Sequence, residues 1–189
     1  MSTTSSPLGM RPVFHPSGLV RSTARTISSG YLSAIYQYAP VAISSDGTVI
    51  AIGGTGSLVG CFDGVEYTDN NGRYILTNRW TGGAVAATGT VVTAYVYEDP
   101  ANTYLMSGNG SINETNIGNM AGFDSVQTGN STTGLSAATI NINQLNTTSG
   151  AVQVLNLYPG PDNAWGDTYT QVYVRVSDHQ MVARPANGF

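Results

Sequence analysis

Residues 46–80 break into three short apolar pieces, 48–52, 58–67 and 73–80, divided by Asp46-Gly47, Gly53-Gly54 and Asp69-Asn70-Asn71-Gly72. Gly, Asn and Asp accept the positive φ that tight hairpins require, so this punctuation predicts strands joined by turns. Nowhere does the chain keep a helical apolar period over ten or more residues, which leaves strands as the material of the core. The stretch is a small antiparallel β-unit, and nothing in it reads as a catalytic group.

The same grammar runs along the rest of the chain. Residues 26–27, 31–38 and 41–44 precede the stretch as strand-like pieces, which gives about five strands by residue 80, enough for a small barrel. A glycine-rich joint follows at 82–89. Residues 90–97 are apolar on both faces, as a central or fully covered strand would be, and stop at Glu98-Asp99-Pro100. Pieces at 104–106 and 111–112 come next, then a polar, glycine-rich loop with one helical turn at 113–134. Strands are expected at 135–142, 151–157 and 168–177, with a rigid loop at 158–167 before the last. That last strand alternates: Thr170, Val172, Val174 and Val176 lie on one face, and Tyr169, Gln171, Tyr173 and Arg175 on the other. With 23 glycines, 11 tyrosines and a 41% hydrophobic share, the chain has the make-up of short strands around a core rather than of disorder. The expected organisation is all-β: an extended arm at 1–25, a small β-barrel at 26–89 and a second β-sandwich or barrel-like unit at 90–189.

The arm is read from Pro7, Pro12 and Pro16, which restrict it to extended conformations. Val13, Phe14 and Leu19 give it apolar points. All seven basic residues are arginine, the cation better suited to interfaces. Arg11, Arg21 and Arg25 give the first 45 residues +3, and the remainder carries −7, which together make the net −4. An acidic body argues against broad nucleic-acid binding. A basic arm on such a body is expected to dock on something acidic, with a neighbouring copy as one candidate. The N-terminus lacks the pattern of a signal peptide, and no apolar run approaches the length of a membrane span, so synthesis in a cytoplasm without membrane insertion is expected.

Chemistry is sparse. His15 and His179 are the two histidines, and no Gly-x-Ser-x-Gly elbow is present. Asp63 and Glu66 are the nearest thing to a glycosidase pair, but they sit at hairpin positions where surface solvation explains them. Asp69–Gly72 and Asp162-Asn163 offer oxygens but do not continue as an EF-hand. No Cys/His spacing fits zinc, and no glycine-rich phosphate loop precedes a helix. Cys61, alone between apolar neighbours, reads as a small buried side chain. Asn-x-Ser/Thr matches at Asn109, Asn113, Asn130 and Asn146 follow from composition. No enzyme activity, cofactor or metal is expected.

Ala39-Pro40-Val41-Ala42-Ile43, then Asp46-Gly47-Thr48-Val49, then residues 58–67 (Leu-Val-Gly-Cys-Phe-Asp-Gly-Val-Glu-Tyr) resemble the head decoration, or capsid cement, proteins of tailed bacteriophages. The arm segment 11–19 and the phrase Asp162-Asn163-Ala164-Trp165-Gly166-Asp167 look like those of phage virion proteins. The resemblance implies an SH3-like barrel and no catalytic residue. It also implies a protein, often a trimer, that binds the major capsid protein on the outside of the expanded shell. The residues expected to grip the shell or a neighbouring copy are Arg11, Phe14, His15, Arg21 and Arg25. Trp165, Tyr169, Tyr173 and Arg175 form a candidate interface face. Two other readings stand beside this one: a virion adhesin stacking host glycans on Tyr158, Tyr169, Tyr173 and Trp165, and a tail-tube or connector component.

Overall fold

The structure is a computed structural model that describes residues 4–52, 56–146 and 148–182. These residues form an all-β protein. Its strands are β1 (Arg11–Phe14), β2 (Thr23–Ile27), β3 (Ile35–Tyr36), β4 (Pro40–Ile43), β5 (Val49–Ala51), β6 (Gly60–Thr68), β7 (Tyr74–Thr77) and β8 (Arg79–Trp80) in the first half. The second half adds β9 (Val92–Tyr97), β10 (Thr103–Ser107), β11 (Met120–Ala121), β12 (Phe123–Asp124), β13 (Thr139–Ile140), β14 (Val152–Leu157) and β15 (Gln171–Val176). One sheet runs β2-β9-β6-β4-β5, with β7 beside the far end of β6; a second runs β1-β10-β15-β14-β11. The pairs β12-β13 and β3-β8 form small ladders of their own. The edge strands β2 and β5 of the first sheet curl toward each other.

Two expected turns share one construction. Ser44 N–H donates to Thr48 O at 2.9 Å and Gly47 N–H to Ser44 O at 3.0 Å; Asp69 N–H donates to Arg73 O and Gly72 N–H to Asp69 O, both at 2.9 Å. Gly47 (φ 82°) and Gly72 (φ 77°) take the left-handed position that closes a three-residue hairpin. The turn carboxylates are engaged by their own loops. Asp69 Oδ1 accepts from Asn71 and Arg73 N–H at 2.9 Å. Hydrogen bonds from the Ser44 hydroxyl and from Thr48 hold Asp46 below the usual carboxylate range. The Gly53-Gly54 turn lies outside the described residues.

The two sheets share a wall. Along β4, β5 and the start of β6, neighbouring residues point into different cores: Val41, Ala51, Val59 and Phe62 into one, Ala42, Ile52, Leu58 and Cys61 into the other. The first core also holds Ile27, Ile35, Trp80, Val92 and Val96; the second holds Met10, Tyr104, Met106, Ile140, Val154 and Val174. Such a wall must be apolar on both faces, which is why residues 58–62 read as an unbroken apolar run. Gly60 makes the close approach possible: at φ 151°, a Cβ there would stand 1.9 Å from the Tyr97 carbonyl oxygen.

The sheets divide the chain differently from the boundaries 1–25, 26–89 and 90–189. β1, from the arm, pairs antiparallel with β10 in the second sheet, while β2 pairs with β9 in the first. β9 lies between β2 and β6 and belongs to the first sheet. It is central, but it alternates: Val92, Ala94 and Val96 are buried, while Thr93, Tyr95 and Tyr97 are partly exposed. After β15 the chain returns to the first sheet, with Leu58 N–H to Asp178 O at 3.1 Å and Gln180 N–H to Leu58 O at 2.9 Å. His179, buried, donates from Nε2 to Glu98 O at 2.9 Å and accepts from Met181 N–H at Nδ1. Local differences have local causes. The expected strand 73–80 breaks at Asn78, whose amide reaches Thr133 O at 2.9 Å. Residues 111–112 are not a strand; Ile112 is a core residue whose N–H donates to Thr170 Oγ1.

Two predictions follow from this topology. A fragment of residues 26–89 lacks both β9 and most of β2, so its amide spectrum should show the narrow dispersion of an unfolded chain; a dispersed spectrum would contradict the interlocked arrangement. Gly60→Ala should cost about 4 kcal/mol or more in urea unfolding, at the upper end of single-site effects. Gly72→Ala, where a Cβ meets nothing within 4 Å, should cost only the left-handed backbone penalty of about 1–2 kcal/mol.

Candidate interaction surface

The arm runs across its own body. Met10 is fully buried and its N–H donates to Tyr38 O at 2.7 Å, and β1 follows as an edge strand. Arg25 grips Glu98 through two bonds, Nε to Oε2 at 2.7 Å and an Nη to Oε1 at 2.8 Å. That fork geometry is the strong form of an arginine–carboxylate contact. It raises the guanidinium further above its ordinary value. His15 Nε2 lies 3.3 Å from Asp99 Oδ2, and its Nδ1 lies 2.6 Å from the Ser17 hydroxyl. The acidic target expected for the basic arm is thus, for Arg25 and His15, the Glu98-Asp99 turn of the same chain. Arg11 and Arg21 stay at the surface. His15, Arg21, Glu98, Asp99 and the buried Asn102 line an open cavity of about 690 Å³.

Phe14 has a different setting. It is 56% exposed because β1 bulges between Pro12 and Phe14. Beside it, on the open face of the second sheet, Val13, Thr103, Leu155 and Tyr173 complete an apolar groove of about 440 Å³. Tyr173 stands edge-on to Tyr158, with ring centroids 5.9 Å apart. On the same strand Arg175 Nε donates to Gln153 Oε1 at 2.9 Å. The alternation read for the last strand is present: Thr170, Val172, Val174 and Val176 are buried and Arg175 is exposed. Trp165, in contrast, packs against the second core, and Tyr169 lies just before the strand, half-buried. The groove therefore brings Tyr173 together with Phe14, with Arg175 two residues further along β15, and leaves Trp165 apart. Leu155 and Thr103 were not singled out from the sequence, although both occupy strand positions next to buried neighbours.

The carboxylates and the thiol singled out from the sequence are tied up structurally. Asp63 accepts from Gln37 Nε2 at 3.2 Å and acts on the Tyr97 hydroxyl, whereas Glu66 accepts from Tyr74 OH at 2.6 Å and acts on the Tyr95 hydroxyl. The two carboxylates serve separate networks. Burial, and then Asp63, pushes the Tyr97 hydroxyl up from its ordinary value. Cys61 is fully buried, and burial pushes its thiol well up, away from the reactive thiolate. Among the described residues no three His, Cys, Asp or Glu side chains gather as a cation site.

Glu98→Ala removes the partner of Arg25 from a site where the carboxylate side chain is 11% exposed. The loss should be about 2 kcal/mol, the scale of a hydrogen bond to a charged group. Arg11→Ala should change stability by less than about 0.5 kcal/mol. Equal effects in chemical denaturation would contradict the division of the arm into docked and free residues.

No protein-family model matches the chain, and no match is found among curated proteins or solved structures.

Proposed function

We propose that this chain is a virion structural protein that binds the outside of a phage capsid and stabilises the expanded shell by bridging major capsid protein subunits. The reading starts from the sequence resemblance to capsid cement proteins. The observation that carries it further is the apolar groove around Phe14 on the open face of the second sheet. A rigid sheet with an exposed aromatic at its edge suits packing against a preformed protein surface, where buried aromatic anchors supply most of the binding energy. The internal docking of Arg25 and His15 shifts the gripping role from the whole arm to Phe14, with Arg11 and Arg21 as the surface cations near it in sequence. Many copies on one shell make weak individual contacts sufficient.

The Tyr158–Tyr173 pair supports a second reading, a virion adhesin that stacks a host glycan. Removal of residues 1–20 is a poor test of either, because it takes away β1 and the buried Met10. The direct experiment is co-sedimentation with expanded capsids. Phe14→Asp should lower apparent affinity at least about ten-fold, while Leu32→Asp, at a position 85% exposed in the connection between β2 and β3, should bind as the parent does. Undiminished occupancy by Phe14→Asp removes the groove from the capsid contact. A glycan-array signal lost in Tyr173→Ala, with capsid occupancy unchanged, favours the adhesin.

A further inference from the structure

The free edges of the two sheets are not alike. β1 carries Pro12 and a bulge, devices that blunt an edge against pairing. β2 and β5 curl toward one another. β11 is two residues long, and its Met120 N–H donates to Asn146 O at 2.7 Å. β7 has none of this protection. Its sequence is Tyr-Ile-Leu-Thr, uncharged and free of proline, and its register on β6 is unbroken from Val65↔Thr77 to Thr68↔Tyr74. Antiparallel ladders alternate hydrogen-bonded and non-bonded pairs. The Asp69–Arg73 bond sets the phase, and Thr68 O, turned away to accept from Ala87 N–H at 2.8 Å, agrees with it. The N–H and C=O groups of Tyr74 and Leu76 therefore point away from β6, to the open edge. The same two residues are 65% and 67% exposed.

We infer that β7 is an interaction edge, and that its partner is β7 of a second copy of this chain, paired antiparallel about a two-fold axis at Ile75. That register is the one that uses the strand fully. It sets Tyr74 opposite Leu76 of the mate, and Leu76 opposite Tyr74. All four outward-pointing groups of each strand are satisfied by four interchain hydrogen bonds, and the four exposed apolar side chains lie on one face. The strand carries no charge, so its mate meets no like charge. An identical partner in an antiparallel pair forms a closed dimer rather than a fibre. Four residues a side bury less than a standard interface, so the contact is weak in dilute solution and grows where copies are crowded. This inference does not depend on the capsid reading, and it gives a two-fold contact where the resemblance implies a trimer.

The test is register-specific cross-linking at high protein concentration. The single native thiol, Cys61, is fully buried. Tyr74→Cys and Leu76→Cys chains, each checked for a native circular dichroism spectrum, are oxidised separately and as an equal mixture. Directly opposed residues are about 5.5 Å apart at Cα, within disulfide range, whereas 74 with 74 and 76 with 76 are diagonal and beyond it. The mixture should therefore yield severalfold more dimer than either variant alone. Sedimentation equilibrium of the parent should show a concentration-dependent dimer, weakened about ten-fold or more by Leu76→Lys, an edge-guarding substitution. Equal yields in all three oxidations overturn the inference. So do a parent chain that stays monomeric at every concentration, a trimer, and a dimer indifferent to Leu76→Lys.

Discussion

The protein depends on one close approach, that of Gly60 to the carbonyl of Tyr97. β6 can lie against β9 and still send Cys61 and Phe62 into different cores only because no side chain stands between them. With that contact made, β4, β5 and the start of β6 become a wall covered by apolar side chains on both faces. Each core then lacks a side unless the other is present. The chain reinforces this coupling by crossing between the sheets at 15–22, 98–102 and 177–180. The Tyr104 hydroxyl, from the second core, donates at 2.9 Å to the same Tyr97 carbonyl that Gly60 leaves accessible.

The electrostatics are local on this frame. An acidic net charge and a basic N-terminal segment suggested an attraction that reaches outside the molecule. Arg25 is instead consumed at the Glu98-Asp99 turn, with His15 beside Asp99, where the crossing from β9 to β10 passes the crossing from β1 to β2. Charged pairs with part-buried partners hold a loop in place more than they steer a distant ligand. The surface left over is low in charge, and among its exposed apolar residues Val13 and Phe14 stand on the border strand β1 and Tyr74 and Leu76 on the border strand β7.

Much of this was legible in the sequence because short-range chemistry set it. The Asp-Gly and Asp-Asn-Asn-Gly turns, the alternation along β15 and the burial of Cys61 are all decided within a few residues. The apolar piece at 58–67 marked the strand that became β6. What could not be read was the assignment of strands to sheets. Residues 92–97 look the same from sequence whether they pair with β6 or begin a new unit, since the partner lies across a long loop. The arm misled for a related reason. Its prolines mark extended backbone correctly, but an extended segment and an edge strand differ only in whether a sheet is waiting beside it, and β10 is about ninety residues away.

Trp165 shows how the candidate surface sharpened. Its phrase, Asp162–Asp167, has the glycine, proline and asparagine content of an exposed loop, and an aromatic there reads as a platform. Asn163 turns the loop inward: its side chain donates to Tyr158 O and Gln171 O at 2.7 and 2.8 Å and accepts from Gln171 N–H at 2.9 Å. These bonds staple both ends of the loop to β15 and leave the indole packed against the core. Tyr173, held upright by Tyr158, stays outside. A loop that satisfies its own backbone in this way has little freedom to remodel around a ligand. The groove beside it, lined by Tyr173, is accordingly bordered by a fixed loop, and on the capsid reading proposed above that suits a rigid partner recognised by shape more than by charge.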